Sequence, residues 1–230
     1  MIAKKITFWS ATVIGFLILC LLGTWQVHRL QWKNDLIAVK KKSLTAAPMS
    51  LEAVLKKIQA NQEIEFNRIQ LKVNWIPNTL YYIIGRTHNS RAGYHIVAPA
   101  KTENDEIIFI NLGWSDKKLD ISLQGPAVID GYVRYPYKNM FTPDPIVGKR
   151  EWGAVIPQQM HPGLPAGRKI IKDFYVELKD PSAYPTLQKL VQIPHTIDLP
   201  NRHLGYIITW YGLAIAWLII MIPRGKRLKK

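Results

Sequence analysis

Two uncharged apolar runs bracket the chain. From Ile6 to Val27 no residue carries a charge, and Phe8, Trp9, Val13, Ile14, Phe16, Leu17, Ile18, Leu19, Leu21 and Leu22 fill the run. As a helix rising 1.5 Å per residue it crosses a hydrocarbon core of about 30 Å. It is too long for a cleaved signal peptide, and no small-x-small cleavage site closes it. Leu19 before Cys20 also argues against lipoprotein processing. The second run, Leu204 to Pro223, is again uncharged and ends at a proline and a basic tail. The pattern predicts a first transmembrane helix at 6–27, an extramembrane domain at 28–202, a second transmembrane helix at 204–223 and a basic tail at 224–230.

Between the runs the period changes. Leu51, Val54, Leu55 and Ile58 recur at helical spacing, with Ser50 placed as an N-cap, which predicts one helix over Ser50 to Ala60. Ile69, Leu71, Val73 and Trp75 then alternate with polar residues. Further strands are expected at 80–85, 94–98, 106–111, 128–135, 153–157 and 170–178, separated by Pro-Asn, Arg-Ala-Gly, Glu-Asn-Asp and Gly-Pro turns. The fold class expected is a membrane protein, with two transmembrane α-helices flanking a mainly β extramembrane domain, an antiparallel barrel or sandwich.

Composition narrows this picture. Of 230 residues 48% are hydrophobic and 20% charged, a balance that excludes a disordered chain. A single cysteine excludes an intramolecular disulfide, a Cys-x-x-Cys redox pair and a zinc ribbon. The net charge is +15, yet Lys4 and Lys5 precede the first run and Arg224, Lys226, Arg227, Lys229 and Lys230 follow the second. Basic clusters abutting apolar runs point to a lipid bilayer and away from nucleic acid. Orientation does not follow from charge alone, because the basic residues near the span ends balance on the two sides.

Catalytic signatures are missing: there is no Gly-x-Ser-x-Gly elbow, Walker loop, Gly-x-Gly-x-x-Gly or His-Glu-x-x-His. Ser115 and Lys118 satisfy Ser-x-x-Lys but stand in a charged turn without the companion motifs. The carboxylate pairs Glu63 with Glu65 and Asp116 with Asp120 read as surface groups. His88, His95, His161 and His195 share no metal-ligand spacing and read as surface or turn histidines. An enzyme is not expected.

Two histidines stand at the membrane ends. His28 shares one helical face with Trp25, Arg29 and Trp32. His203 opens the second run, and Tyr206, Ile207, Trp210, Leu213, Ala214 and Trp217 follow at steps of three and four, forming one stripe. An aromatic belt at the headgroup level accounts for Tyr206. Trp210 lies about 10 Å deeper by helical rise, so a haem with its iron on the histidine and its macrocycle along the rings is the competing account.

The flanks carry a resemblance. Leu22-Gly23-Thr24-Trp25-Gln26, followed by Arg29 and Trp32-Lys33, is similar to the first-helix signature of the Surf1 family, called Shy1 in yeast. Asn201-Arg202-His203-Leu204-Gly205-Tyr206, followed by Thr209-Trp210-Tyr211, resembles its second-helix signature. Gly85-Arg86, Gly93-Tyr94-His95, Asn111-Leu112-Gly113-Trp114 and Phe141-Thr142-Pro143 match between them, although the family's usual arginine is replaced by Leu112. The resemblance implies a cytochrome c oxidase assembly factor that binds haem a and helps its delivery to the catalytic subunit, with haem a synthase as a further partner. It implies His203 as the haem-iron ligand beside Tyr206 and Trp210, and His28 as a weaker metal candidate. It also implies a bacterial inner-membrane protein with a periplasmic central domain. A bacterial member is favoured over a mitochondrial one because Lys4 and Lys5 lead directly into the run. A membrane scaffold for the nascent subunit that never touches haem is the alternative.

Overall fold

The computed structural model describes residues 2–162, 164, 165, 167–194 and 202–227. The chain divides into two compact units, Met1–Lys41 with Ile197–Lys230 and Lys42–Thr196. Helices α1 (Ile2–Thr45) and α3 (His203–Arg227) supply the first. Both are long and apolar enough to cross a membrane. Helix α1 continues well past the apolar run, so the segment after Val27 is helix and not the start of the β domain. No glycine or proline interrupts it between Thr24 and Ala47, and it ends just ahead of Pro48, whose ring disfavours helix in the preceding residue. Arg29 lies over the Trp32 ring at 4.0 Å, on the shared helical face expected for these residues.

The second unit opens with α2 (Leu51–Gln59). Ser50 caps it as its sequence predicts, its hydroxyl accepting a bond from the Ala53 amide at 3.3 Å. Among the described residues seven strands follow: β1 (Arg68–Trp75), β2 (Tyr81–His88), β3 (Arg91–Thr102), β4 (Ile107–Ser115), β5 (Pro126–Arg134), β6 (Glu151–Trp152) and β7 (Tyr175–Leu178). They form one sheet in the order β1-β5-β7-β4-β3-β2-β6, and a further β1–β3 pairing closes five of them into a ring. Closure removes the edges that would otherwise expose unpaired backbone groups. Most ladders are antiparallel, but β7 runs parallel to β4 and β6 parallel to β2.

Two predicted strands shrink. Residues 153–157 are not strand, because the pairing with β2 ends at Trp152. Of 170–178 only Tyr175–Leu178 is strand, and Ile170 makes a lone bridge to Ile107.

The core has two layers, one on each face of β3 and β4. Ile96, Ala98, Ala100, Ile108, Ile110 and Leu112 face the larger layer, with Ile69, Leu71, Ile129, Val133, Phe174 and Val176. Val97 and Phe109 face the smaller, with Tyr81, Ile83, Trp152, Val155 and Met160. A strand covered on both sides explains why β4 is buried at every position and why its sequence lacks clean alternation. A bulge shifts the β3–β4 register: Ile96 pairs with Gly113 and Val97 with Asn111, which leaves Leu112 unpaired between them. Its side chain is fully buried in the larger layer, so the family's usual arginine position is part of this chain's apolar core.

Candidate functional site at the paired helices

The first unit is held by contacts between α1 and α3 that a stripe of small and polar residues on α1 makes possible. Thr12, Gly15, Gly23 and Gln26 recur along one face, and all but Gly15 are buried. A Cβ on Gly15 would come within 2.8 Å of the Trp217 ring, and one on Gly23 within 3.0 Å of Tyr211. Large aromatic rings therefore seat directly on the α1 backbone, as small residues permit between membrane helices. The Trp217 indole N–H donates to the Thr12 carbonyl at 2.9 Å, and the Thr24 and Tyr211 hydroxyls lie 3.0 Å apart.

This pairing divides the aromatic stripe. Ala214 is fully buried and Trp217 is engaged, so the lower end of the stripe is a helix-packing face. The upper end is different. Tyr206 is 53% exposed, and Trp210 is half-buried with an indole nitrogen that is enclosed and unpartnered among the described residues. His203, at the first residue of α3, is half-buried and meets Gln26, Nδ1 lying 2.7 Å from Oε1. A carboxamide oxygen only accepts, so Nδ1 donates here, and in the neutral ring Nε2 keeps its lone pair. That is the arrangement of a ligating histidine whose second ring nitrogen is oriented by a hydrogen bond.

His203, Tyr206 and Trp210 thus stand on one helix within two turns. His28 is exposed and sits two residues beyond Gln26, about 200° around α1, so Gln26 and not His28 is the α1 residue that meets His203. Gln26 was missed in the sequence because a polar residue at the end of an apolar run reads as a boundary. The spacing Thr12, Gly15, Leu19, Gly23, Gln26, in steps of three and four, was the available signal. Among the described residues no group of three or more His, Cys, Asp or Glu side chains gathers to hold a metal ion.

Residues 13–215 match the sequence model of the SURF1 family. The chain belongs to the SURF1 family. A SURF1-like protein of Rickettsia bellii is 30% identical over 218 residues, covering 90% of this chain and 86% of that protein. Surfeit locus protein 1 of Gallus gallus is 25% identical over 234 residues, covering 90% and 72%. A SURF1-like protein of Dictyostelium discoideum is 24% identical over 251 residues, covering 91% and 93%. SURF1 membership implies a role in cytochrome c oxidase assembly, in an assembly-factor family. Two candidate membrane helices, with SURF1 relatives in Rickettsia and in animals, point to a bacterial or mitochondrial membrane.

Two of the histidines read as surface residues have other surroundings. His88 packs its ring against Trp114 at 5.3 Å, and His95 on β3 lines a cavity of the second unit, as does Glu65. His161 is exposed, whereas His195 lies outside the described residues. Burial, reinforced by the charge of Arg86 and partly offset by Glu177, pushes the His95 imidazole down to about 4. In the unfolded chain the same group takes its proton near 6.5. Between those values the unfolded state binds the extra proton, so stability is full above about pH 6.5 and falls by about 1.4 kcal/mol per unit as pH drops toward 4. Denaturation midpoints measured across that range are expected to show this slope, and His95→Gln to flatten it.

Proposed function

We propose that this protein holds haem a during cytochrome c oxidase assembly and passes it toward the catalytic subunit, with His203 as the iron ligand. The observation carrying this reading is the Gln26–His203 hydrogen bond, which engages Nδ1 and orients the ring at the end of α3. The residues fit the group: one oriented imidazole, an exposed Tyr206 ring and a Trp210 whose enclosed N–H has no partner among the described residues. When bound, haem would supply an iron centre for axial ligation. The chain's part is to orient one ligand, cover one macrocycle face with aromatic rings and release the cargo to a better-ligated site. A single protein ligand suits release, because a carrier must bind more weakly than the acceptor.

Haem a synthase as donor and the oxidase's catalytic subunit as acceptor are the partners of this reading. Both helices span a bacterial inner membrane and place the β domain in the periplasm. Alkaline phosphatase inserted after Asn104 is then expected to be active, and an inactive fusion would reverse the orientation.

The test of function is the absorption spectrum of the purified protein from cells making haem a. A Soret band with near-stoichiometric haem a is expected. Protein free of haem under those conditions would favour the scaffold reading, in which the exposed part of the α3 stripe contacts oxidase helices. The packing of Ala214 and Trp217 into the helix pair already gives half of that stripe a purely structural use.

A further inference from the structure

The β domain contains a second site built from different chemistry. A cavity of about 490 Å³ opens on the side of the sheet that carries the smaller core layer. That volume lies within the range of small-molecule pockets. The bulge in β2 between Ile83 and Arg86, where Gly85 takes a φ of +72°, brings Arg86 to it. The bulge in β4 brings Asn111 to it opposite Val97, and His95 comes from the next strand. Three segments that resemble the family's motifs outside the helices therefore converge here.

The polar groups of the cavity are unevenly satisfied. Arg134 stands 3.5 Å from Glu65 and 3.7 Å from Glu177, with its guanidinium 4.3 Å over the Phe66 ring. Arg86 forms no ion pair among the described residues. One terminal nitrogen donates to the Gly153 carbonyl at 3.3 Å, and its Nε is enclosed without a partner among the described residues. Asn111 is 1% exposed. Its amide N–H₂ donates to His95 Nδ1 at 3.2 Å, while its Oδ1 is buried without a partner among the described residues. Buried polar groups are almost always hydrogen-bonded in folded proteins. A cationic donor and a neutral acceptor left over in one cavity describe the complement of a ligand.

We propose that this cavity binds a small organic monocarboxylate, with its carboxylate on Arg86 and a hydroxyl or N–H donor on the Asn111 amide oxygen. The planar guanidinium fork matches a carboxylate in two parallel hydrogen bonds. Glu65 and Glu177 on the cavity wall disfavour a second negative charge, which sets the class apart from phosphates and dicarboxylates. Ile83, Val155 and Phe66 offer apolar surface to the body of the ligand. All of these residues lie in the second unit, so the proposal stands apart from the haem reading.

The test uses the full chain in lipid nanodiscs and 3-phenyllactate, which has one carboxylate, one hydroxyl and an aromatic body. Calorimetric titration is expected to give saturable one-to-one binding. 3-Phenyllactamide, which lacks the charge, is expected to bind at least about tenfold more weakly, as is 3-phenyllactate on Arg86→Gln. Arg86→Lys keeps part of the affinity. Asn111→Leu is expected to abolish the preference for 3-phenyllactate over 3-phenylpropionate, which lacks the hydroxyl. No saturable binding by the wild type up to about 10 mM would overturn the proposal. Inorganic phosphate binding as tightly as the acid would also overturn it, as would equal binding of acid and amide. If Arg86→Gln fails to fold, the comparison of acid with amide on the wild type decides alone.

Discussion

Protein carrying His203→Ala is expected to be purified without the haem a Soret band that the haem reading expects of the wild type, at unchanged yield. The substitution removes the proposed ligating nitrogen and leaves the rings of Tyr206 and Trp210 in place. Gln26→Leu separates the ligand from its support. It keeps Nε2 but removes the acceptor that holds the proton on Nδ1 at 2.7 Å, so the ring is free to turn and to exchange tautomers. Loss of such a supporting hydrogen bond typically lowers affinity about 10- to 100-fold. Competitive transfer of haem to apomyoglobin is expected to run faster by that factor from Gln26→Leu, whereas Gln26→Glu, which retains an acceptor, stays near wild type. A wild-type spectrum and stoichiometry in His203→Ala would remove the ligand assignment altogether.

Phe174→Ala is expected to be the most damaging single truncation in the β domain. Phe174 is fully buried and belongs to the larger core layer, just ahead of the strand that joins the two halves of the ring. Removing a buried phenyl ring costs about 3–5 kcal/mol, since the lost transfer energy is augmented by the cavity left behind. For a domain of this size that corresponds to a fall of roughly 10 °C in the melting temperature of the β-sheet signal. Val128→Ala, at a β5 position that is 52% exposed, is expected to shift it by less than about 0.5 kcal/mol. Equal effects of the two changes would mean that the core assignment is wrong.

How far the sequence was legible depended on how one-sided each element is. The alternation of β1 and the capped helix α2 each have one wet face, and both were readable, with Ser50 capping as its position suggests. In β4 both faces are covered, so the apolar run announced a strand but not which side of Asn111 would be polar. Asn111 and His95 came together through a bulge, and a bulge changes facing without leaving a periodic trace. That is why His95 read as a surface group. At the helices the signal lay in the wrong residues: the eye follows large aromatics, whereas the partner of His203 sits on the helix of small residues that receives them. The lower stripe, from Ala214 to Trp217, looked like a platform because packing rings and cofactor rings share one spacing.

The position of β7 in the ring sets an order of events during synthesis. This short strand is the last among the described residues, yet it lies between β4 and β5, pairing Ile110 with Val176 on one side and Val133 with Val176 on the other. Until residues 175–178 have emerged, β4 and β5 each present an open edge, and such edges invite pairing with other chains. A nascent chain halted before Tyr175 therefore carries every other strand of the barrel without being able to close it. Closure of this domain therefore waits on the same few residues, however early the other strands have formed.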